Sequence, residues 1–575
     1  MKNREIADIF NKIADILEIK DANVFRIRAY RRAADNLESL PHDLDRLVEE
    51  DKLNEIAGVG KDLSEKIKEY YRDGEISYLN DLLDEVPGDL LLMLKIPGLG
   101  PKKVKLFYQK LDITSIAQLE RAAKEGKLRE LPSIKEKTEE NIIKGIEFLK
   151  RGNERMLLGL ALPLAKSIIL ELKKLKEVKR ISIAGSLRRM RDTIGDIDIL
   201  AASSKPEKVM DKFNSLSIVK NVIVRGETKS SILTESDIQI DLRVVSEESF
   251  GAALQYFTGS QNHNIHLRQI AQRKGLKINE YGVFKVKDDK KIASRDEEGI
   301  YKTLGMNFIP PELREDRGEI ERALEGRLPE LIEEKDIKGD LHIHSDFSDG
   351  RISLEKVIEI GYRRGYKYIA ITDHSKSLGV AHGLNEERLL DQIQRIKKIE
   401  SRYKDFKILT GTEMDIKADG SLDWGRDILG KLDIVIAAVH SGFKQSKEKM
   451  TERILSAIES GLVDIVAHPS GRLLGERDPY EVDWDAIFKA AAKYKVALEI
   501  NSHILRLDLT DINAARAKEC GVLITINTDA HSKEHFDMMK YGVSVGRRAW
   551  LNKRDVINCL SYNKLRKFLA QRKKV

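Results

Sequence analysis

The chain has 575 residues, 41% hydrophobic and 34% charged, with a formal net charge of +7. That length supplies three or four domains with sizeable cores, and no apolar run is long enough to cross a bilayer, which excludes a membrane partner. The charged start MKNREIADIF lacks the apolar centre of an export signal, so the expected compartment is the cytoplasm. Cys520 and Cys559 cannot build a disulfide framework and read as buried thiols.

In chain order, EIADIFNKIADILEI and FRIRAYRRAADNLESL carry apolar residues at helical spacing. Ile56, Gly58, Val59 and Gly60 then fit a helix-hairpin-helix turn, where glycines let main-chain N–H groups meet a DNA phosphate without reading sequence. Forty residues on, Ile96, Gly98, Leu99 and Gly100 repeat the pattern, in a stretch that carries Lys95, Lys102, Lys103, Lys105 and Lys110 and no acid. A third segment, LPSIKEKTEENI at 131–142, lacks the glycines and is expected to pack only.

Residues 181–200, ISIAGSLRRMRDTIGDIDIL, and SDIQIDLRVV at 236–245 place three acids in strand-like surroundings. Alternation puts Asp196 and Asp198 on one strand face, and Asp241 with Arg243 on one face of the second. If the strands are neighbours, three carboxylates converge; clustered like charges need cations, and oxygen-only ligands suit two Mg²⁺ ions. Such ions assist in-line transfer of a nucleotidyl group. Gly185 and Ser186 leave room for a phosphate, and Arg188 or Arg189 offers a fork of donors to clamp it. The alternative is an exposed hairpin with solvated acids.

Residues 312–338 are charge-dense and read as a helical connector. Beyond them GDLHIH, KYIAITDH, KILTGTEMDI, LDIVIAAVH, LVDIVAH, VALEINS and VLITINTDAH alternate with helical segments. Seven such units predict a parallel, barrel-like α/β fold with the strands' C-terminal ends at one mouth. Six of the seven end in metal-ligand types: His342, His344, Asp349, His374, Glu413, His440, His468, Asp529 and His531. Burying so many at one pole without cations is costly. Lys376 and Arg472 are candidates to hold a substrate phosphate, and Glu499 and Asn501 to support the ligands from behind.

The Gly185-Ser186 pair, GDID at 195–198, IDLR at 240–243 and YFTGS at 256–260 resemble the family X DNA polymerases, the group of DNA polymerase beta. The likeness implies a multidomain α+β and α/β chain: helical residues 1–80 that bind DNA ends, a helix-hairpin-helix subdomain at 81–150, a nucleotidyltransferase palm at 151–248 and a terminal, thumb-like subdomain at 249–315. A linker at 316–337 and a distorted (β/α)7 barrel at 338–575 follow. The likeness also implies that Arg155, Tyr256, Phe257, Gly259 and Asn264 meet the nucleotide and that Arg26, Tyr30, Lys229 and Arg268 meet DNA. Lys66 matches the family's lyase lysine, a Schiff-base nucleophile that needs a depressed pKa; as a solvated helix residue it has no such role. The nine C-terminal ligands resemble the PHP (polymerase and histidinol phosphatase) pattern, which implies up to three ions, Mn²⁺ or Zn²⁺ by ligand type, and a 3'-5' exonuclease or end-cleaning activity, with cleavage at abasic sites as a further possibility. The implied substrates are gapped or primer–template DNA and dNTPs, the setting is base excision repair beside a ligase, and the chain is expected to be a monomer. Rival readings are an RNA or small-molecule nucleotidyltransferase, a polymerase whose PHP part is only structural, and a non-catalytic end-binding scaffold.

Overall fold

The structure, a computed structural model, describes residues 2–570 except 39–43, 45–46, 49, 57, 95, 97–98, 133, 137, 141, 144–145 and 147–154. Lys95 and Gly98 therefore lie outside the described residues.

The N-terminal part is helical. Helix Lys2–Ile19 turns Ile6, Phe10, Ile13 and Leu17 inward, against Val24–Glu38, Ser77–Glu85 and Pro101–Leu111. One apolar core runs from Ile6 to Ile146, so the boundary expected at residue 80 falls inside a shared core; helices from both sides of that boundary, Val24–Glu38 and Pro101–Leu111, pack on the same first helix. The described residues of both hairpins make the same closing bond. Val59 N–H donates to the Ile56 carbonyl and Leu99 N–H to that of Ile96, both at 3.0 Å, and Gly60 and Gly100 then cap helices Lys61–Asp73 and Pro101–Leu111. The third segment repeats the bond, Ile134 N–H to Leu131, and buries Ile134 and Ile142.

A five-stranded sheet forms the palm: β1 (Arg180–Ile183), β2 (Asp196–Ala202), β3 (Val219–Arg225), β4 (Lys229–Thr234) and β5 (Gln239–Val245), in the order β1-β2-β5-β4-β3. β2 and β5 run parallel, and the other pairs are antiparallel. Helices Phe250–Thr258 and Gln261–Arg273 lead into a small antiparallel sheet, β6 (Leu276–Asn279), β7 (Gly282–Lys285) and β8 (Lys291–Ala293). The expected linker at 316–337 is a correction. Glu319, Ile320 and Ala323 of helix Glu319–Leu324 are buried, the last two in the core of the β6–β8 subdomain, and Ile332 is buried in the core shared by palm and barrel, so the segment joins the subdomains by packing.

The C-terminal part has seven parallel strands in sequence order: β9 (Gly339–Asp340), β10 (Tyr368–Ile371), β11 (Lys407–Asp415), β12 (Ile434–Ala438), β13 (Ile465–Val466), β14 (Ala497–Asn501) and β15 (Ile524–Asn527). A bridge from Ile343 to Ala530 brings the two ends together into a nearly closed barrel, as the seven strand–helix units predict. Strands covered on both faces need largely apolar runs, which is how most of them are written. Ser353, Asn385, Ser446, Asp483 and Thr510 cap the helices that follow, each accepting a backbone N–H of the first turn. Palm and barrel share one apolar core. Among the described residues no helix is long and apolar enough to cross a membrane. Cys559 is buried, whereas Cys520, at the end of helix Asp511–Glu519, is exposed, against expectation.

Candidate active sites of the palm and the barrel

In the palm, parallel pairing sets Asp198 directly beside Asp241, with Asp196 opposite Gln239 one step along the same face. Alternation buries Ile197, Ile199, Ile240 and Leu242 behind them. Burial, then Asp196 and Asp241, push the Asp198 carboxyl up to about 7, and burial with Asp241 raises Asp196. Three acids brought this close fit divalent cations bound through oxygen. Gly185, at φ +60°, turns the chain where a Cβ would overlap Asp198 Oδ2. The glycine is needed for the acid as well as for a phosphate; Ser186 follows it, half-buried.

Several expected partners are otherwise engaged. Lys229, expected on DNA, lies 3.0 Å from Asp241 and partly neutralises the acids. Arg188 grips Glu297 with both terminal nitrogens, and Arg189 donates to Glu315 at 3.0 Å and to the Thr258 carbonyl at 2.5 Å. Both arginines brace palm against the following helices, which corrects the phosphate-clamp expectation for Arg189. The Asn264 amide is spent on the Tyr256 carbonyl and Gln255, each at 2.7 Å, so its expected nucleotide contact is corrected too. Arg155 is exposed and held by Thr193, beside the acids it helps to offset. Tyr256 and Phe257 meet edge to face at 5.1 Å, Arg243 stacks over Phe257 at 4.4 Å, and Gly259 lies buried at φ +65° before a cis Gly259–Ser260 peptide. Arg268 is exposed.

On the N-terminal part, Gly60, Gly100 and Lys102 lie at open helix starts, and Gly58 holds φ +83°. Arg26 is exposed, but Tyr30 is 1% exposed in the core and cannot meet DNA from there, a correction. Tyr30 stacks on Tyr78, over which Arg26 and Lys66 converge at 4.9 and 5.2 Å. Sequence reading passed over Tyr78. The Lys66 amine is ion-paired to Asp62 at 2.6 Å.

At the barrel mouth all nine expected residues meet. Three overlapping groups each bring ligand atoms within 4.8 Å: His344, Asp349, His374 and His531; His342, His344, Glu413 and Asp529; and His374, Glu413 and His440. His468 reaches Glu413 at 2.9 Å. Buried His344 Nδ1, His374 Nδ1, His468 Nδ1 and Asp529 Oδ1 have no hydrogen-bond partner, which fits atoms made to bind metal. Burial, the largest influence, lowers the His342 pKa, but Asp529, Glu499 and Glu413 together carry it well above the usual range.

Further side chains support the ligands from behind. Glu499 accepts from His342 Nδ1 at 2.8 Å and from the His468 N–H at 2.9 Å, and Asn501 donates to Asp529 at 3.1 Å. Asp415, which the sequence reading missed although it lies two residues past Glu413 on the same strand face, holds His440 Nδ1 at 3.0 Å. Lys376 stacks over Trp424. Arg472 is turned away from the ligands, its guanidinium taken by Asp192 and two carbonyls, so the expectation that it holds substrate is corrected.

A palm that gathers three carboxylates and a barrel that gathers nine metal-ligand side chains, on a chain with helix-hairpin-helix turns, define a two-site, metal-dependent enzyme of nucleic-acid ends. Known families match in the same order: a helix-hairpin-helix domain over residues 1–76, a SAM-like helix-hairpin-helix tandem over 90–147, the DNA polymerase beta thumb over 253–315 and the PHP domain over 340–503. The DNA polymerase/3'-5' exonuclease PolX of Bacillus subtilis is 40% identical over 573 residues, 99% of this chain and 100% of that one. A probable phosphatase of Thermoanaerobacter sp. (strain X514) is 30% identical over 41% of this chain and 95% of its own; one of Citrobacter koseri is 32% identical over 34% and 78%. The chain belongs to the PolX family of bacterial DNA polymerase/3'-5' exonucleases.

Proposed function

We propose that this family X DNA polymerase and 3'-5' exonuclease fills short gaps during base excision repair, trimming blocked 3' ends in the barrel and extending them in the palm. The observation that carries the polymerase reading is the register that sets Asp198 beside Asp241, with Asp196 on the same face. Asp196 and Asp198 would hold two Mg²⁺ ions, and Asp241 would share one and take the proton of the primer 3'-hydroxyl. Those ions, when bound, lower the pKa of the attacking hydroxyl and offset charge on the leaving pyrophosphate. Tyr256 and Phe257 present aromatic surface to the sugar; Gly185 and Ser186 leave the phosphates room. Gly60, Gly100 and Lys102 offer backbone N–H groups and charge to DNA phosphates, with Arg26, Arg243 and Arg268 as further contacts.

In the barrel the nine ligands suit Mn²⁺ or Zn²⁺, up to three ions, for phosphodiester hydrolysis. Abasic-site cleavage there, and lyase chemistry at Lys66 beneath Tyr78, are the finer parts of the proposal. We assign residues 1–150 to DNA ends, 151–248 to the catalytic palm, 249–315 to the nucleotide and 338–575 to hydrolysis, in a cytoplasmic monomer acting beside a ligase.

The decisive test uses a one-nucleotide-gapped duplex with Asp241→Ala and His342→Ala proteins in parallel. The first loses synthesis and keeps hydrolysis, and the second the reverse. Loss of both in either variant, or persistence of synthesis without Asp241, overturns the assignment.

A further inference from the structure

After β14 the chain makes a tight turn, His503–Leu507, at the barrel mouth. Arg506 and Leu507 N–H groups both donate to the His503 carbonyl, and the Arg506 side chain, 20% exposed, brings Nε to 3.8 Å from the metal-ligand residue Asp529. None of the described residues hydrogen-bonds that guanidinium. A fork of donors therefore faces the site where an anionic DNA backbone must approach Asp349, Glu413 and Asp529.

The turn is held from outside the barrel. Arg472, four residues past the ligand His468, donates Nε to the Arg506 carbonyl at 2.8 Å and Nη2 to the Leu507 carbonyl at 2.5 Å. Its third nitrogen, Nη1, reaches Asp192 of the palm at 3.0 Å, four residues before Asp196. Ile504 of the same turn lies flush on Gly159, where a Cβ would overlap its side chain. Asp192 is itself fixed: Oδ1 accepts from Thr193 N–H at 3.1 Å and its carbonyl from Leu158 N–H at 3.0 Å.

Resting on the reading of the barrel as a nuclease, we propose that Arg506 binds the phosphate of the strand being degraded, and that palm residue Asp192, through Arg472, is its positioning residue. The polymerase palm thus completes the exonuclease site. A guanidinium held at both carbonyls of a turn fixes that turn only while its own orientation is fixed, and the Asp192 carboxylate supplies this.

The test uses full-length Asp192→Asn, Arg506→Gln, Arg506→Lys and the Asp192→Asn/Arg506→Gln double variant. The asparagine keeps an acceptor for Thr193 N–H but turns a donor toward Arg472. On a single-stranded oligonucleotide, Arg506→Gln is expected to raise the exonuclease KM on the order of tenfold or more, with a smaller change in kcat, and Arg506→Lys to recover part of it. Asp192→Asn is expected to raise KM roughly threefold to tenfold, and to add nothing in the Arg506→Gln background. Hydrogen exchange on metal-free protein reads the same link without activity: amides at 505–507 exchange faster in Asp192→Asn and not in Arg506→Gln. Full additivity of the two substitutions, or unchanged exchange in Asp192→Asn, overturns the proposal. If wild-type protein with Mn²⁺ or Zn²⁺ degrades no DNA, the nuclease reading fails and the phosphate role of Arg506 with it; unchanged exchange in Asp192→Asn alongside an active nuclease instead refutes the palm-to-turn link alone.

Discussion

Gly185 and Asp198 are mutually exclusive with a side chain between them: a Cβ on Gly185 would occupy the space of Asp198 Oδ2. The backbone there also sits at φ +60°, in the left-handed region. Gly185→Ala must therefore move the acid, the turn or both. Displacement of about 1 Å at a reacting centre costs on the order of 100-fold, so gap filling by Gly185→Ala is expected to fall by about that factor. Exonuclease activity of the same protein is expected to stay at the wild-type level, and both are read on one gapped substrate.

Arg548 of the barrel, 4% exposed on its side chain, joins Glu315 at 3.0 Å and Asp511 at 2.8 Å and donates to the Arg189 carbonyl at 2.8 Å. Arg189 and Arg317 share these two acids, each at the oxygen that Arg548 also meets, Glu315 Oε1 and Asp511 Oδ2. Removing one member of a buried pair costs about 3–5 kcal/mol because the remaining charges stay buried. Here the surviving arginines reduce that, and Arg548→Met is expected to destabilise by about 2–3 kcal/mol. Thermal unfolding followed by circular dichroism checks it: the midpoint falls by several degrees.

The sequence made the barrel plain because its strands are written as largely apolar runs, six of the seven closed by ligand residues, a pattern local enough to read without coordinates. The palm acids were legible for a similar reason: alternation fixed their face, although only the parallel register of β2 on β5 set Asp198 beside Asp241. Arg188, Arg189 and Arg472 were misjudged because their partners lie far away in sequence, at Glu297, Glu315 and Asp192, whereas Asn264 is held within its own helix pair by Gln255 and the Tyr256 carbonyl. Spacing says where a side chain begins and nothing about which distant carboxylate it meets. Tyr30 failed differently: its helix repeats arginines so densely that a core tyrosine among them resembled a surface contact.

Glu499 carries three jobs at once, accepting from His342 Nδ1, the His468 N–H and the Asn527 amide at 2.8–2.9 Å. It orients two ligands without being one of the nine. Loss of such a partner usually costs about 10–100-fold in metal affinity or activity. Glu499→Gln is expected to weaken Mn²⁺ binding within that range and to slow the exonuclease, leaving synthesis unchanged. A metal titration of the chelator-stripped protein, paired with primer extension, separates the two.

His263 is wholly buried, with Nδ1 on Glu319 at 2.7 Å and Nε2 on the Tyr301 hydroxyl at 2.9 Å. Burial holds its pKa below the usual histidine value, more than Glu319 raises it. The unfolded chain therefore binds a proton near pH 6.5 that the folded one refuses until lower pH, and stability falls as pH drops below about 6.5. The limiting slope from this one group is about 1.4 kcal/mol per pH unit, and it ends once the folded pKa is passed. Neighbouring His266 acts oppositely: its bond to Asp316 at 2.8 Å raises its pKa, so its contribution is present below about pH 6.5 and is lost as pH rises through the folded value. His263→Gln cannot take up the proton. Urea midpoints measured at pH 7 and pH 5 should therefore fall less between the two for His263→Gln than for the wild type, whatever their absolute values; equal falls would mean that His263 does not govern the acid sensitivity of this subdomain.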